Sequence, residues 1–123
     1  RMKFVNHYAA TSPPSIRREV AVMLRDIPLD QCRKALVDLA SAYDGRDRWY
    51  LESFGIACDR KEEAIYPELL AAIGNPDPLK WSDAFSGIAW RLHPPAAVPA
   101  LVVRAKAESL PFAARRSTKS ARN

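Results

Sequence analysis

Residues 49–58, WYLESFGIAC, recur 32 positions later as residues 81–90, WSDAFSGIAW. Trp49 aligns with Trp81, and Gly55, Ile56 and Ala57 align with Gly87, Ile88 and Ala89. At the same offset Pro67 meets Pro99 and Leu69 meets Leu101. Two amphipathic segments returning together at a period of roughly 30–45 residues are the signature of a helical solenoid. Such units cannot bury their apolar faces alone and need about three stacked copies for stability, which a chain of 123 residues can supply. Only four glycines argue against a turn-dense β sandwich, and most of the ten prolines fall at joints between segments.

Taken in order, the chain divides into units at about 12–45, 46–75 and 76–109, with partial ends at 1–11 and 110–123. Phe4, Val5 and Tyr8 share one face of a first segment, which Ser12, Pro13 and Pro14 end; Ser12 is a candidate N-cap. Ile16, Val20, Met23, Leu24 and Ile27 then form one stripe of helical period, closed by Pro28. Asp30 is placed to cap the partner helix, whose expected buried face is Cys32, Ala35, Leu36, Leu39 and Ala40. Asp47 opens the second unit, with Tyr50, Leu51, Phe54, Ala57 and Cys58 inward. Asp59 and Glu62 have capping-box spacing ahead of Ile65, Leu69, Ala72 and Ile73. The third unit presents Trp81, Phe85, Ile88, Ala89 and Leu92, then Val98, Leu101, Val102 and Ala105. Leu110, Pro111 and Phe112 read as the start of a fourth unit. A proline inside a helix costs about 3 kcal/mol unless it sits in the first turn. The helices around Pro67 and Pro99 are therefore expected to start late, near Tyr66 and Val98, or to open with a separate short turn. Packing between repeats predicts that bulk at Gly55 or Gly87 is tolerated less than at Gly45.

The net charge of +5 is local. Arg115, Arg116, Lys119 and Arg122 contribute +4 at the end, leaving 15 basic and 14 acidic side chains in residues 1–114. A balanced body speaks against a nucleic-acid surface, which depends on several basic contacts acting together. Cys32 and Cys58 form no CxxC, CxxCH or zinc-finger spacing. They read as two separate small apolar residues, with a disulfide left open and the redox compartment with it. No apolar run approaches the roughly 20 residues that span a bilayer.

Catalytic patterns are absent: no HExxH, GxSxG, P-loop or GxGxxG is present. His7 and His93 stand far apart, and Glu62 with Glu63 suits the first turn of a helix. No catalytic, cofactor-binding or metal site is expected. Trp49 and Trp81, at one repeat position, are expected to pack between units, as is Trp90; the alternative is an aromatic ladder along one rim. The row of second helices places Lys34, Asp38, Glu68 and Arg104 on a candidate interaction surface. Arg17, Arg18, Arg48, Trp49 and Arg91, with Asp47 beside them, mark the alternative nucleic-acid surface.

Val98, Pro99 and Leu101, and more loosely Tyr66, Pro67 and Leu69, give a two-helix unit with proline opening the inner helix. This setting resembles the HEAT repeat, as does the start at Ser12, Pro13, Pro14, Ser15, Ile16 and Arg17. The resemblance covers nearly all of the chain and implies an all-α, right-handed α-solenoid of helical hairpins, about three units plus partial ends, forming a single domain over 1–123. It is weak for function, because such repeats serve many unrelated proteins. Some HEAT-like proteins bind duplex DNA through a basic concave surface, and one class excises alkylated bases; that implies the alternative reading. A narrower likeness rests on SIRREVAVMLRDIP (15–28), YDGRDRWYLESFGIA (43–57) and IAWRLHPPAAVPALVVRA (88–105). These are similar to the helical-repeat region of large planctomycete proteins that combine a sorbosone-dehydrogenase-like propeller with a c-type cytochrome domain. That likeness implies a piece of a longer, exported or periplasmic redox protein, in which the repeats are a non-catalytic spacer or interaction module partnered by protein. The chain departs from the full pattern in lacking a CxxCH haem site and propeller-type strand repeats.

Overall fold

A computed structural model describes residues 14–108, with side-chain surroundings from Glu19 onward. Among the described residues all regular structure is helical: α1 (Pro14–Arg25), α2 (Leu29–Ala42), α3 (Arg48–Ala57), α4 (Glu62–Ile73), α5 (Asp83–Leu92) and α6 (Val98–Glu108). Two 3-10 turns, Pro78–Lys80 and Pro95–Ala97, precede α5 and α6. The all-α expectation therefore holds. Expectations placed on Phe4, Val5, His7, Tyr8, Ser12 and Pro13, and on Leu110, Pro111, Phe112 and the basic residues after them, lie outside the described residues.

Helices pack with their second neighbours. α1 lies against α3 and α3 against α5, while α2 lies against α4. Between these rows, α2 packs on α3 and α4 on α5, so a second helix meets the first helix of the following pair. The apolar stripes explain the arrangement. α2 buries Cys32, Ala35, Leu36, Leu39 and Ala40, the face its periodicity predicts. α3 buries Tyr50, Phe54 and Ala57, α4 buries Ile65, Tyr66 and Leu69, and α5 buries Phe85, Ile88, Ala89 and Leu92. In α1 the buried stripe is Val20, Ala21 and Leu24, and Met23 faces out, a correction to the expected face. At about 100° per residue Met23 points more than a quarter-turn away from the centre of that stripe.

Helix starts divide into those capped by side chains and those begun by backbone alone. Asp47 Oδ1 accepts from the Tyr50 N–H at 3.0 Å, as expected, and Ser82 Oγ accepts from the Phe85 N–H at 3.1 Å. α2 is different. Its cap position is Pro28, whose carbonyl accepts from the Gln31 N–H, and Asp30 sits inside the first turn instead of capping. The capping box at Asp59 and Glu62 does not form either. Arg60 takes a left-handed φ of 67° and Lys61 occupies the cap position with no side-chain cap bond.

The two prolines part company. α6 starts at Val98 after a separate 3-10 turn, so Pro99 falls in the first turn, as expected. α4 starts at Glu62, well ahead of Tyr66, and carries Pro67 in its interior. Glu62 and Glu63 favour that early start, because carboxylates in a first turn complement the helix dipole. Pro67 has no N–H to offer the Glu63 carbonyl, but both residues lie on the exposed side, where water substitutes.

Repeat position also fails to predict the fate of the tryptophans. Trp81 is 5% exposed, stands edge-on to Phe85 at 4.8 Å, and donates from Nε1 to the Asn75 carbonyl at 2.8 Å. Trp49 is 73% exposed and Trp90 69%, overturning the inter-unit packing expected for them. The cause for Trp49 is a shifted helix start. α3 begins at Arg48, so Trp49 lies within its first turn, whereas α5 begins at Asp83 and leaves Trp81 in the joint, folded back onto the core.

Candidate functional site

The charged residues expected to form an interaction surface are engaged with one another or with backbone. Lys34 Nζ lies 3.3 Å from the Asp38 carboxylate, one turn along α2. Glu68 on α4 pairs with Arg33 on α2, tying the two second helices together. Arg104 on α6 donates to the Pro78 carbonyl at 2.8 Å and sets its guanidinium 5.7 Å from the centre of the Trp81 ring. The contact with the ring is a cation–π interaction. Exposed pairs of this kind are screened by salt and contribute little to stability, yet they leave little unmatched charge for a partner.

Of the alternative nucleic-acid residues, Arg48, Trp49 and Arg91 have described side chains. Arg17 and Arg18 precede the first described side chain. Arg48 and Trp49 are exposed neighbours at the start of α3. Arg91 turns to Glu52, with 3.0 Å between Nε and Oε1, and lies across Gly55. Asp47, the carboxylate beside Arg48 and Trp49, is spent on capping α3. Glu62 and Glu63 occupy the first turn of α4, and His93 sits after α5 with Nδ1 3.3 Å from the Trp90 carbonyl oxygen. Among the described residues no three His, Cys, Asp or Glu side chains gather as metal ligands, and no helix is long and apolar enough to cross a membrane.

Two features escape the sequence reading. The first is Lys61, only 8% exposed. Its Nζ donates to the carbonyls of Leu24 and Arg25 at 3.0 Å each and of Ala57 at 3.2 Å. The ammonium thus serves the C-terminal ends of both α1 and α3, where the helix dipole favours a cation. Cys32 and Cys58 are fully buried near it, and both are free thiols. Burial raises the Cys32 thiol and pushes Cys58 far above the ordinary range, with Lys61 opposing the shift in both, so neither is poised as a nucleophile.

The second feature is an apolar groove of about 470 Å³ lined by Trp90, His93, Val98, Leu101, Val102 and Ala105. The face Val98, Leu101, Val102 and Ala105 is the one the periodicity of α6 assigns to the core, but α6 has no fully buried residue. Val98 and Val102 are 47% and 44% exposed. His93 holds a left-handed φ of 28° at the mouth of the groove. The signal present in the sequence is the apolar stripe Val98, Leu101, Val102 and Ala105 itself. Chemically the groove offers hydrophobic area, one indole and the His93 imidazole, with no carboxylate in its lining. A smaller apolar hollow of about 310 Å³ lies between α4 and α6, lined by Tyr66, Leu70, Trp81 and Val103 among others.

Comparison of the chain with known protein families, with curated proteins and with solved structures returns no match.

Proposed function

We propose that the chain is a right-handed α-solenoid of HEAT-like helical hairpins, acting as a non-catalytic protein-interaction or spacer module of a larger redox protein. The neighbour pattern supports the stack, since first helices follow first helices and each earlier second helix meets the next first helix. The surface supports the protein partner. The single observation carrying the reading is the apolar groove on α6. Exposed apolar area of this kind marks interaction sites.

A nucleic-acid module is the competing reading, favoured by the exposed pair Arg48 and Trp49. Duplex-DNA binding by fluorescence anisotropy separates the two, comparing the full chain with one ending at Ala114 at low and physiological salt. The protein-interaction reading expects any binding to vanish with either the truncation or the salt. Binding that survives both would overturn it.

A further inference from the structure

We infer that the groove on α6 receives an amphipathic helix anchored by an aromatic side chain, the first helix of another hairpin of the same design. This rests on the repeat reading and names the partner that the exposed end of the stack selects.

The inference comes from what covers the same face elsewhere in the chain. At the 32-residue offset, Val98, Leu101, Val102 and Ala105 correspond to Tyr66, Leu69, Leu70 and Ile73 of α4. There the face is largely covered, with Leu70 and Ile73 half-buried. Leu69 is fully buried, Tyr66 lies 6.2 Å from the ring of Phe85, and α4 packs against α5. One unit earlier Leu36 and Leu39 of α2 are buried where α2 packs against α3. Tyr50 donates its hydroxyl to the Leu39 carbonyl at 2.5 Å, and Phe54 lies in the same layer. Twice, then, a second helix is covered by the next first helix, with an aromatic residue making the contact. α6 presents the third such face; its most extensive packing is on the two 3-10 turns, and Ala100 and Leu101 are only partly buried against the core. The exposed indole of Trp90 forms one wall and α6 the other, leaving a channel for side chains projecting from an approaching helix.

The chemistry of the occupant follows. It carries Phe, Tyr or Trp at one position and Ile or Leu three residues on, as Phe85 and Ile88 do. Residues 109–123 supply Leu110 and Phe112 but no large apolar residue after them. Phe112 is followed three residues on by Arg115, so this segment lacks the paired pattern.

A fluorescein-labelled peptide with the sequence of residues 74–93 is the probe, titrated with the full chain and read by anisotropy. Val102→Asp and, separately, Trp90→Ala alter exposed side chains, and circular dichroism checks that each variant folds. The expected result is saturable binding to the unaltered chain, weakened at least about tenfold by either variant. Val22→Asp, on the exposed side of α1, leaves binding unchanged, and a peptide carrying Phe85→Ser and Ile88→Ser fails to bind. Absent binding, or equal binding by Val102→Asp, would overturn the inference. So would binding that appears only when Leu110→Ser and Phe112→Ser are introduced, which would make the chain's own segment the occupant. A dimer in sedimentation that Val102→Asp abolishes would overturn it in favour of a second copy. Failure here together with absence of DNA binding leaves the groove as a surface for a partner of other chemistry and removes only this occupant.

Discussion

At the scale of single residues, Lys61 does what no local pattern announces. Its three donors reach carbonyls 37, 36 and 4 residues away, so its role depends on two helix ends being brought together. Lys61→Met keeps the apolar stem and removes the donors. It is expected to lower stability by about 2–4 kcal/mol, since hydrogen bonds to charged groups are each worth about 1.5–3 kcal/mol net. Chemical denaturation measures this, and a loss within about 0.5 kcal/mol of zero would show the ammonium to be idle. The glycines reverse their expected order. Gly45 has φ of 84°, and a Cβ there would stand 3.1 Å from the Ala84 backbone nitrogen. A Cβ at Gly87 would meet the nearest atoms at 3.5 Å, an ordinary contact, and one at Gly55 would overlap the Arg91 guanidinium and force it off Glu52. Gly45→Ala should therefore cost about 1–2 kcal/mol, while Gly87→Ala, in a helix interior, should gain about 0.5 kcal/mol. Melting temperatures of the two variants falling in the opposite order would refute this account.

At the scale of helices, the start of each element decides more than its repeat position does. Asp47→Ala and Ser82→Ala each remove a formed cap and should cost about 1 kcal/mol, whereas Asp59→Ala, whose carboxylate caps nothing, should be near neutral. Equal losses at Asp47 and Asp59 in thermal melts would mean that the box forms in solution. Periodicity made the buried face of α2 fully legible, because all five expected residues pack inward from one regular helix. It could not reveal that α3 starts three repeat positions earlier than α5, and so it paired Trp49 with Trp81 although one faces water and the other the core. It also placed the start of α4 too late. The proline rule weighs one missing hydrogen bond, while the exposed setting of Glu63 and Pro67 makes that bond cheap to lose.

At the scale of the whole molecule, burial is graded along the chain. α3 and α4 have neighbours on both sides, whereas α6 fully buries nothing. An element with few buried apolar contacts opens at lower cost than the core, so α6 is expected to open first among the described helices. Amide hydrogen exchange should be slowest in α2, α3 and α4 and faster by at least an order of magnitude in α6; uniform protection would instead indicate a single cooperative unit. The candidate surface was legible only in part. Lys34, Asp38, Glu68 and Arg104 were identified from periodicity, which locates a face but not the partners that satisfy it there. The α6 groove was visible as an apolar stripe, but periodicity does not say that Val98 and Val102 stay about half-exposed.

The unequal burial of the three tryptophans has an optical consequence. Trp49 and Trp90 emit from water while Trp81 emits from the interior, so the spectrum of the folded chain is dominated by red-shifted, readily quenched light. A melt followed by total intrinsic fluorescence would register mainly the Trp81 share and understate the transition. With Trp49→Phe and Trp90→Phe, Trp81 becomes a single internal reporter. With Trp49→Phe and Trp81→Phe, the remaining indole at the groove should shift to the blue when a helix covers it.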